Sequence, residues 1–350
     1  MGSEELTASE ESRSHFKELM AIGLIASVLG VALGLLIDWF PTQGSEEAET
    51  VDTVWDVLIV ASVPVFVLVI TVVLYSVWRY RMKPGEELKD GPPIHGNTRL
   101  EIIWTAIPAI LLVLLCSYSY VTLTDIEEAK ANQLEVRVVG EQFTWTFFYK
   151  DADGNDVASP QLYVPRGRPV YFTIQSKDVI HDFWVPAFRM KIDAVPGIDT
   201  HLRITPKTTG EYPVICAELC GLGHAAMRQT AHVVEPDEFD RWLRERSAAA
   251  AAPEEQAGGG AAPDGKTVFT DAGCGGCHAL ADAGTTGGTG PDLDEGLKGK
   301  DQAFIRQSIV DPSADVTPGF SDGIMPQNFG DTLQPAELDA LVKYLAEVTK

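Results

Sequence analysis

The sequence predicts a multi-domain membrane protein. In order it should hold an apolar N-terminal helix, a transmembrane helical hairpin, an all-β domain and a small all-α domain. Three observations predict this. Apolar runs occupy residues 19–40, 54–78 and 100–123. Short stretches rich in β-branched and aromatic residues, separated by Pro and Gly, follow from residue 134. An Ala-, Gly- and Pro-rich stretch then isolates a C-terminal unit with helical patterns at both ends. A chain of 350 residues is long enough for several domains.

Each apolar run can cross the roughly 30 Å hydrocarbon layer of a lipid bilayer as a helix. The runs barely show the polar stripe of a buried soluble helix. Arg79, Arg81, Lys83, Lys89 and Arg99 lie between the second and third runs, whereas PTQGSEEAETVD, between the first and second, has no Lys or Arg. The excess of positive charge places the 79–99 loop in the cytoplasm and everything beyond residue 124 on the outer face. The first run reads as a retained helix, with a cleaved signal peptide as the alternative. Its apolar core is long for a signal, its flank is rich in Glu and it shows no small-x-small cleavage site. The expected boundaries are 1–48 for the tail and first helix, 49–124 for the hairpin, 125–246 for the β-domain, 247–263 for a linker and 264–350 for the last domain.

In the β-domain, LEVRVVGEQFTWTFFYK reads as strands and DADGND as a turn. QLYVP, PVYFTIQS, HLRITP and EYPVICAE add further short strands, the pattern of a sandwich or barrel. EPDEFDRWLRER reads as a short closing helix. SAAAAAPEEQAGGGAAPDG lacks large apolar residues and reads as a flexible linker. The net charge of −23 is spread over all parts, which argues against a nucleic-acid partner.

Four of the five cysteines fall into two clusters. The fifth, Cys116, lies in the third apolar run and reads as a packed small hydrophobe. In CGGCH, Cys274, Cys277 and His278 form the C-x-x-C-H pattern of covalent haem c attachment. A helical turn points both thiols toward one porphyrin and the adjacent imidazole toward its iron. A zinc knuckle would need further ligands, and no Cys or His follows His278. Met325, in GIMPQNF, is the sole methionine beyond the motif and the candidate second axial ligand. Phe269, Leu280, Pro291, Leu293, Phe304, Ile309, Leu341 and Tyr344 are candidates for the pocket wall.

In CAELCGLGHAAM, Cys216, Cys220, His224 and Met227 lie close together, and His181 stands upstream in VIHDFWVPAFRMKIDAVPG. Soft sulfur with imidazole selects copper or zinc. Zinc would use the two Cys and two His and leave Met227 idle. A disulfide would explain neither histidine. Two cysteines suggest two copper ions sharing both sulfurs, a histidine on each, with Met227 and the Glu218 carbonyl completing the pair. His15, His95, His201 and His232 have no ligand-like neighbours, and Met190 reads as core.

The segment DGKTVFTDAGCGGCHAL, with GPDL and GIMP downstream, resembles small class I cytochromes c over 264–350. The His181 run and CAELCGLGHAAM resemble the binuclear copper domain of cytochrome c oxidase subunit II. RYRMKPGEELKDGPPIHGNTRLEIIWTAIPAILL resembles that family's cytoplasmic turn and second anchor helix. The resemblance covers about residues 50–246. It implies a cupredoxin-like Greek-key copper domain fused to a cytochrome c. It also implies partners: oxidase subunit I, where O2 is reduced to water with proton pumping, subunit III, and an upstream donor such as a cytochrome bc complex or a small cytochrome c. The location implied is the bacterial plasma membrane, with both redox domains outside.

The resemblance further gives the Glu218 carboxylate to a Mg2+ or Mn2+ shared with subunit I. It gives Glu101 to proton uptake, against the plain reading of a carboxylate at a helix N-terminus. One residue departs from the family. Where the family often has Trp after G-x-Q as the entry point for electrons from soluble cytochrome c, this chain has Phe143, with Trp145 two positions on. The expected relay runs from the haem to the copper pair, and the linker holds donor and acceptor at about millimolar effective concentration. The alternatives are a copper-haem subunit of a nitric-oxide reductase, and a membrane-anchored copper-delivery or structural zinc protein.

Overall fold

The computed structural model describes residues 3–82, 85, 95–251 and 263–350. Lys83 and Lys89 of the cytoplasmic loop and residues 252–262 of the expected linker lie outside the described residues. The chain divides into two units.

The first unit holds the apolar helices: α1 (Ser3–Leu36), most of α2 (Glu46–Tyr80) and α3 (Thr98–Glu127). All three are long and apolar enough to span a membrane. A helix satisfies its own backbone hydrogen bonds, which is what the hydrocarbon layer demands. Gly30 and Gly34 let α1 approach α2 closely. A Cβ at Gly30 would lie 2.9 Å from Val63 Cγ1, and one at Gly34 would lie 2.8 Å from Ile59 Cγ2.

The second unit holds Pro41–Glu49 and everything from Ile126 onward. Its β-domain comprises β1 (Leu134–Glu141), β2 (Thr144–Lys150), β3 (Asp156–Ser159), β4 (Leu162–Pro165), β5 (Val170–Ser176), β6 (His181–Trp184), β7 (Lys191–Ala194), β8 (Thr200–Ile204), β9 (Gly210–Cys216) and β10 (Arg228–Val234). Two five-stranded sheets form, ordered β3-β2-β1-β5-β8 and β4-β10-β9-β6-β7. Their inner faces bury Val136, Val138, Trp145, Phe147, Leu162, Phe172, Phe183 and Val214, and apolar burial of this kind is the main driving force. β3, β6, β7 and β10 were not anticipated. The first three are four residues long: β3 pairs with the longer β2, β6 with the longer β9, and β7 is an edge strand on β6.

The segment before α2 is stitched to this domain. Gly44 N–H donates to Ala187 O at 2.8 Å, and Lys207 N–H donates to Gly44 O at 2.8 Å. Glu47, 5% exposed, accepts from Thr205 N–H at 2.8 Å and from Lys130 Nζ at 2.9 Å. A carboxylate so deeply placed is tolerated because it is paired.

The closing helix, α4, spans Pro236–Ala251 and takes in the alanines expected to open the linker. Ala is the strongest helix former, so the run extends the helix. The last domain contains α5 (Gly265–Asp271), β11 (His278–Leu280), β12 (Thr285–Gly288), α6 (Leu293–Gly296), α7 (Gln302–Val310), α8 (Phe329–Thr332) and α9 (Pro335–Val348). Its core packs Phe269, Leu280, Ile305, Leu341, Val342 and Leu345. The two-stranded ribbon β11-β12 is an addition to the expected helices.

Candidate functional site

Strand pairing assembles the first cluster. β9 ends at Cys216, the chain loops outward, makes a tight turn at His224–Ala226 and returns in β10. Cys216 N–H donates to Met227 O at 3.2 Å, so the two ends of the loop face each other. β6 lies beside β9, and Ala217 N–H donates to Asp182 O at 3.0 Å. His181, first residue of β6, is thereby carried to the thiols.

The Sγ atoms of Cys216 and Cys220 are 3.8 Å apart, far beyond the ~2 Å of a disulfide. His181 Nδ1 lies 3.9 Å from Cys216 Sγ, and His224 Nδ1 lies 3.6 Å from Cys220 Sγ. Met227 Sδ is 3.8 Å from Cys220 Sγ, and Glu218 O is 3.2 Å from Cys216 Sγ. All six predicted ligands therefore meet. Met227 is fully buried against the thiols, so a four-ligand site would leave a thioether unused inside the cluster. Two thiols, two imidazoles, a thioether and a carbonyl form a donor set that fits copper.

Asp178 Oδ1 accepts from His181 Nε2 at 2.8 Å, which turns Nδ1 toward the sulfur. The Trp145 ring stands edge-on to His181, with centroids 5.9 Å apart. Gln142 Nε2 donates to Cys220 O at 2.6 Å and braces the loop. Burial opposes ionisation of Cys216, but hydrogen bonding at His181 and at the backbone of Asp182 and Glu218 outweighs it and brings the thiol down to about 7. Burial and the Cys216 neighbour push Cys220 up to about 12. Without metal the pair holds one easily lost proton and one tightly kept.

The second cluster sits on the tight turn Cys274–Gly276, followed by His278 at the start of β11. His278 Nδ1 is 2.8 Å from Pro291 O, leaving Nε2 for a ligand. Gly290 lies flat against the ring, since a Cβ there would sit 2.6 Å from His278 Cε1. Burial lowers the His278 pKa and keeps the imidazole neutral, the form that binds metal. Burial pushes the Cys274 thiol up to about 12 and raises that of Cys277. Cys274, Cys277, His278 and Met325 all line one cavity, with Phe269, Pro291, Leu293, Phe304, Ile309 and Leu341 among its apolar walls. A flat apolar cofactor carrying a metal fits such a cleft. Two expected wall residues lie elsewhere. Leu280 is in the domain core, and Tyr344 donates its hydroxyl to Asp282 at 2.6 Å.

Phe143 and four neighbours of the β-domain, Thr144, Ala226, Arg228 and Gln229, line the same cavity. The Phe143 ring also packs on the loop that carries Cys220, where a Cβ at Gly223 would lie 2.4 Å from Phe143 Cδ2. The Glu218 side chain is exposed beside the loop. Glu101 Oε1 accepts from Asn97 N–H at 3.1 Å while Asn97 Oδ1 accepts from Leu100 N–H at 3.2 Å, a capping arrangement at the start of α3. Asp178, Gln142 and the role of the Pro291 carbonyl were not foreseen, because support groups of this kind carry no spacing signal.

Family models match three stretches of the chain. They are the cytochrome c oxidase subunit II transmembrane domain at residues 30–122, its periplasmic domain at 155–234 and cytochrome c at 262–349. Cytochrome c oxidase subunit 2 of Alkalihalophilus pseudofirmus is 32% identical over 309 residues, which cover 83% of this chain and 84% of that protein. The subunit 2 of Thermostichus vulcanus is 32% identical over 282 residues, covering 65% of this chain and 85% of the relative. Among solved structures, the periplasmic domain of subunit II of cytochrome oxidase from Bradyrhizobium japonicum is 29% identical. It covers 35% of this chain and 98% of that domain, with a TM-score of 0.33.

Proposed function

The chain belongs to the cytochrome c oxidase subunit II family, and we propose that it carries electrons from a covalent haem c to a binuclear copper centre and on to subunit I. As a family member with a cytochrome c domain, it is a membrane-anchored subunit of an oxidoreductase complex and a partner of subunit I. The subunit II domain implies copper and the cytochrome c domain implies haem. The finer assignments are the proposal. Cys216, Cys220, His181, His224, Met227 and the Glu218 carbonyl hold the copper pair. Cys274 and Cys277 hold the haem, with His278 and Met325 as axial ligands.

The observation that carries this reading is the closure of two imidazoles and a thioether around two thiols 3.8 Å apart. When bound, the copper pair and the haem supply reversible one-electron exchange with little change in bonding. The protein holds their ligands in place. Asp178 fixes the tautomer and direction of His181, and the Pro291 carbonyl does the same for His278. Trp145 and Met227, both wholly buried, keep water from the thiols. The exposed Glu218 carboxylate is placed to share a Mg2+ or Mn2+ with subunit I, and Glu101 is assigned to proton uptake in addition to its capping bond. The location is the bacterial plasma membrane, with subunit III in the complex and a cytochrome bc complex or small cytochrome c as donor.

Metal analysis and EPR of the purified complex test the reading. Wild type should hold two copper ions and one haem c per chain and show a mixed-valence binuclear signal. Cys220→Ser should lose that signal and keep the haem spectrum. A single copper per chain, or the signal persisting in Cys220→Ser, overturns it.

A further inference from the structure

The turn that bears the haem cysteines rests directly on the turn that bears His224. A Cβ at Gly276 would lie 3.2 Å from the Ala226 carbonyl oxygen and 3.7 Å from the Ala226 Cβ. At Gly273 it would lie 3.2 Å from Gln229 Nε2. A Cβ at Gly276 is already tighter than ordinary contact, so a bulky side chain there would press the two turns apart.

Matched polar groups surround this contact. Gln161 Nε2 donates to Asp271 O at 3.2 Å, and Asn328 Nδ2 donates to Thr146 Oγ1 at 3.1 Å. Gln161, Asn328 and Thr146 are 6%, 6% and 2% exposed. Arg246 on α4 reaches three ways. It donates to Ala158 O at 2.7 Å in the β-domain, and to Thr332 O at 3.0 Å and Glu337 Oε1 at 3.0 Å in the cytochrome domain. Its own carbonyl accepts from Gln334 Nε2 at 2.8 Å, and its side chain is only 10% exposed. Ile324, one residue before Met325, packs against the β-domain core. A buried arginine hydrogen-bonded from both sides is a specific fastening, since a buried guanidinium left without partners is strongly disfavoured.

We propose that the cytochrome domain is seated on the copper domain as a fixed partner and does not swing on its tether. Gly276 lets the haem turn touch the copper turn, and Arg246 clamps the pair. Both are positioning residues. The seat holds the two redox sites at one constant separation and covers the Phe143 side of the copper loop. An outside donor then meets the cytochrome domain there. The names of the two turns rest on the function proposed above, but the seating does not.

Insertion of a protease recognition sequence after Gln256 lets the tether be cut in the purified, loaded complex. After cutting, the wild-type cytochrome domain should stay with the remainder on gel filtration. Gly288→Ala, whose Cβ would meet nothing within 4 Å, should behave identically. Gly276→Leu, which keeps both cysteines and His278, should release the cut domain with its haem spectrum intact. Arg246→Ala, made on the other side of the contact, should weaken retention about tenfold or more. Release of the wild-type domain on cutting overturns the seat. Wild-type retention in both Gly276→Leu and Arg246→Ala overturns the roles given to those residues. Missing copper or haem would count against the proposed function while leaving co-elution readable.

Discussion

Asp178 decides which nitrogen of His181 faces the thiols. Its carboxylate takes Nε2 at 2.8 Å, so Nδ1 is the atom presented 3.9 Å from Cys216 Sγ. Outer partners of this kind tune metal affinity as well as ligand direction. Asp178→Asn should therefore lower copper affinity by about tenfold or more, measured by competition with a chelator. An unchanged affinity would show that packing against Trp145 alone orients the ring. The clustering of the proposed ligands was legible in the sequence because grouped sulfur and imidazole have few other uses. Asp178 was not, since an aspartate in a polar turn resembles any other until the fold brings it to a histidine.

At the scale of the element, the contact between α1 and α2 depends on absent side chains. Gly30 and Gly34, one turn apart, accept Val63 and Ile59 at distances a Cβ would not allow. Small residues at this spacing are how membrane helices come close. The pair Gly30→Cys and Val63→Cys should form a disulfide on oxidation in intact membranes, seen as a mobility shift on a non-reducing gel. Failure to cross-link would mean that α1 is removed or packs elsewhere. The long helices were legible because twenty apolar residues have one stable solution in a bilayer. The strand β6 was not, because a four-residue strand is defined by a partner such as β9 that is distant in sequence, and β7 exists only by pairing with β6. The alanines at the end of α4 were misjudged for the opposite reason. They lack core-forming bulk yet have high helix propensity, and propensity won.

For the molecule as a whole, the manner of domain contact predicts its response to salt. Among the described residues, Arg246–Glu337 is the ion pair across the cytochrome contact, and its arginine is 10% exposed. The other hydrogen bonds across it run to backbone carbonyls or a hydroxyl. Screening acts mainly on exposed charges, so raising salt from about 50 to about 500 mM should leave the cut domains together. Dissociation over that range, followed by gel filtration, would point to a surface-charge encounter in place of a packed seat. The flexible linker expected from residue 247 keeps the donor near its acceptor, so that diffusion no longer limits transfer. The proposed seat goes further and fixes their geometry. By itself the sequence determined the membrane anchors and the two redox domains and marked the clustered donor residues proposed as ligands, because apolar length and donor chemistry are local properties of the chain. Only the tertiary structure decided that the haem turn lies against the copper turn, with Gly276 at the contact and Arg246 across it. That choice depends on shape and hydrogen-bond matching between surfaces far apart in the chain, which no local pattern records.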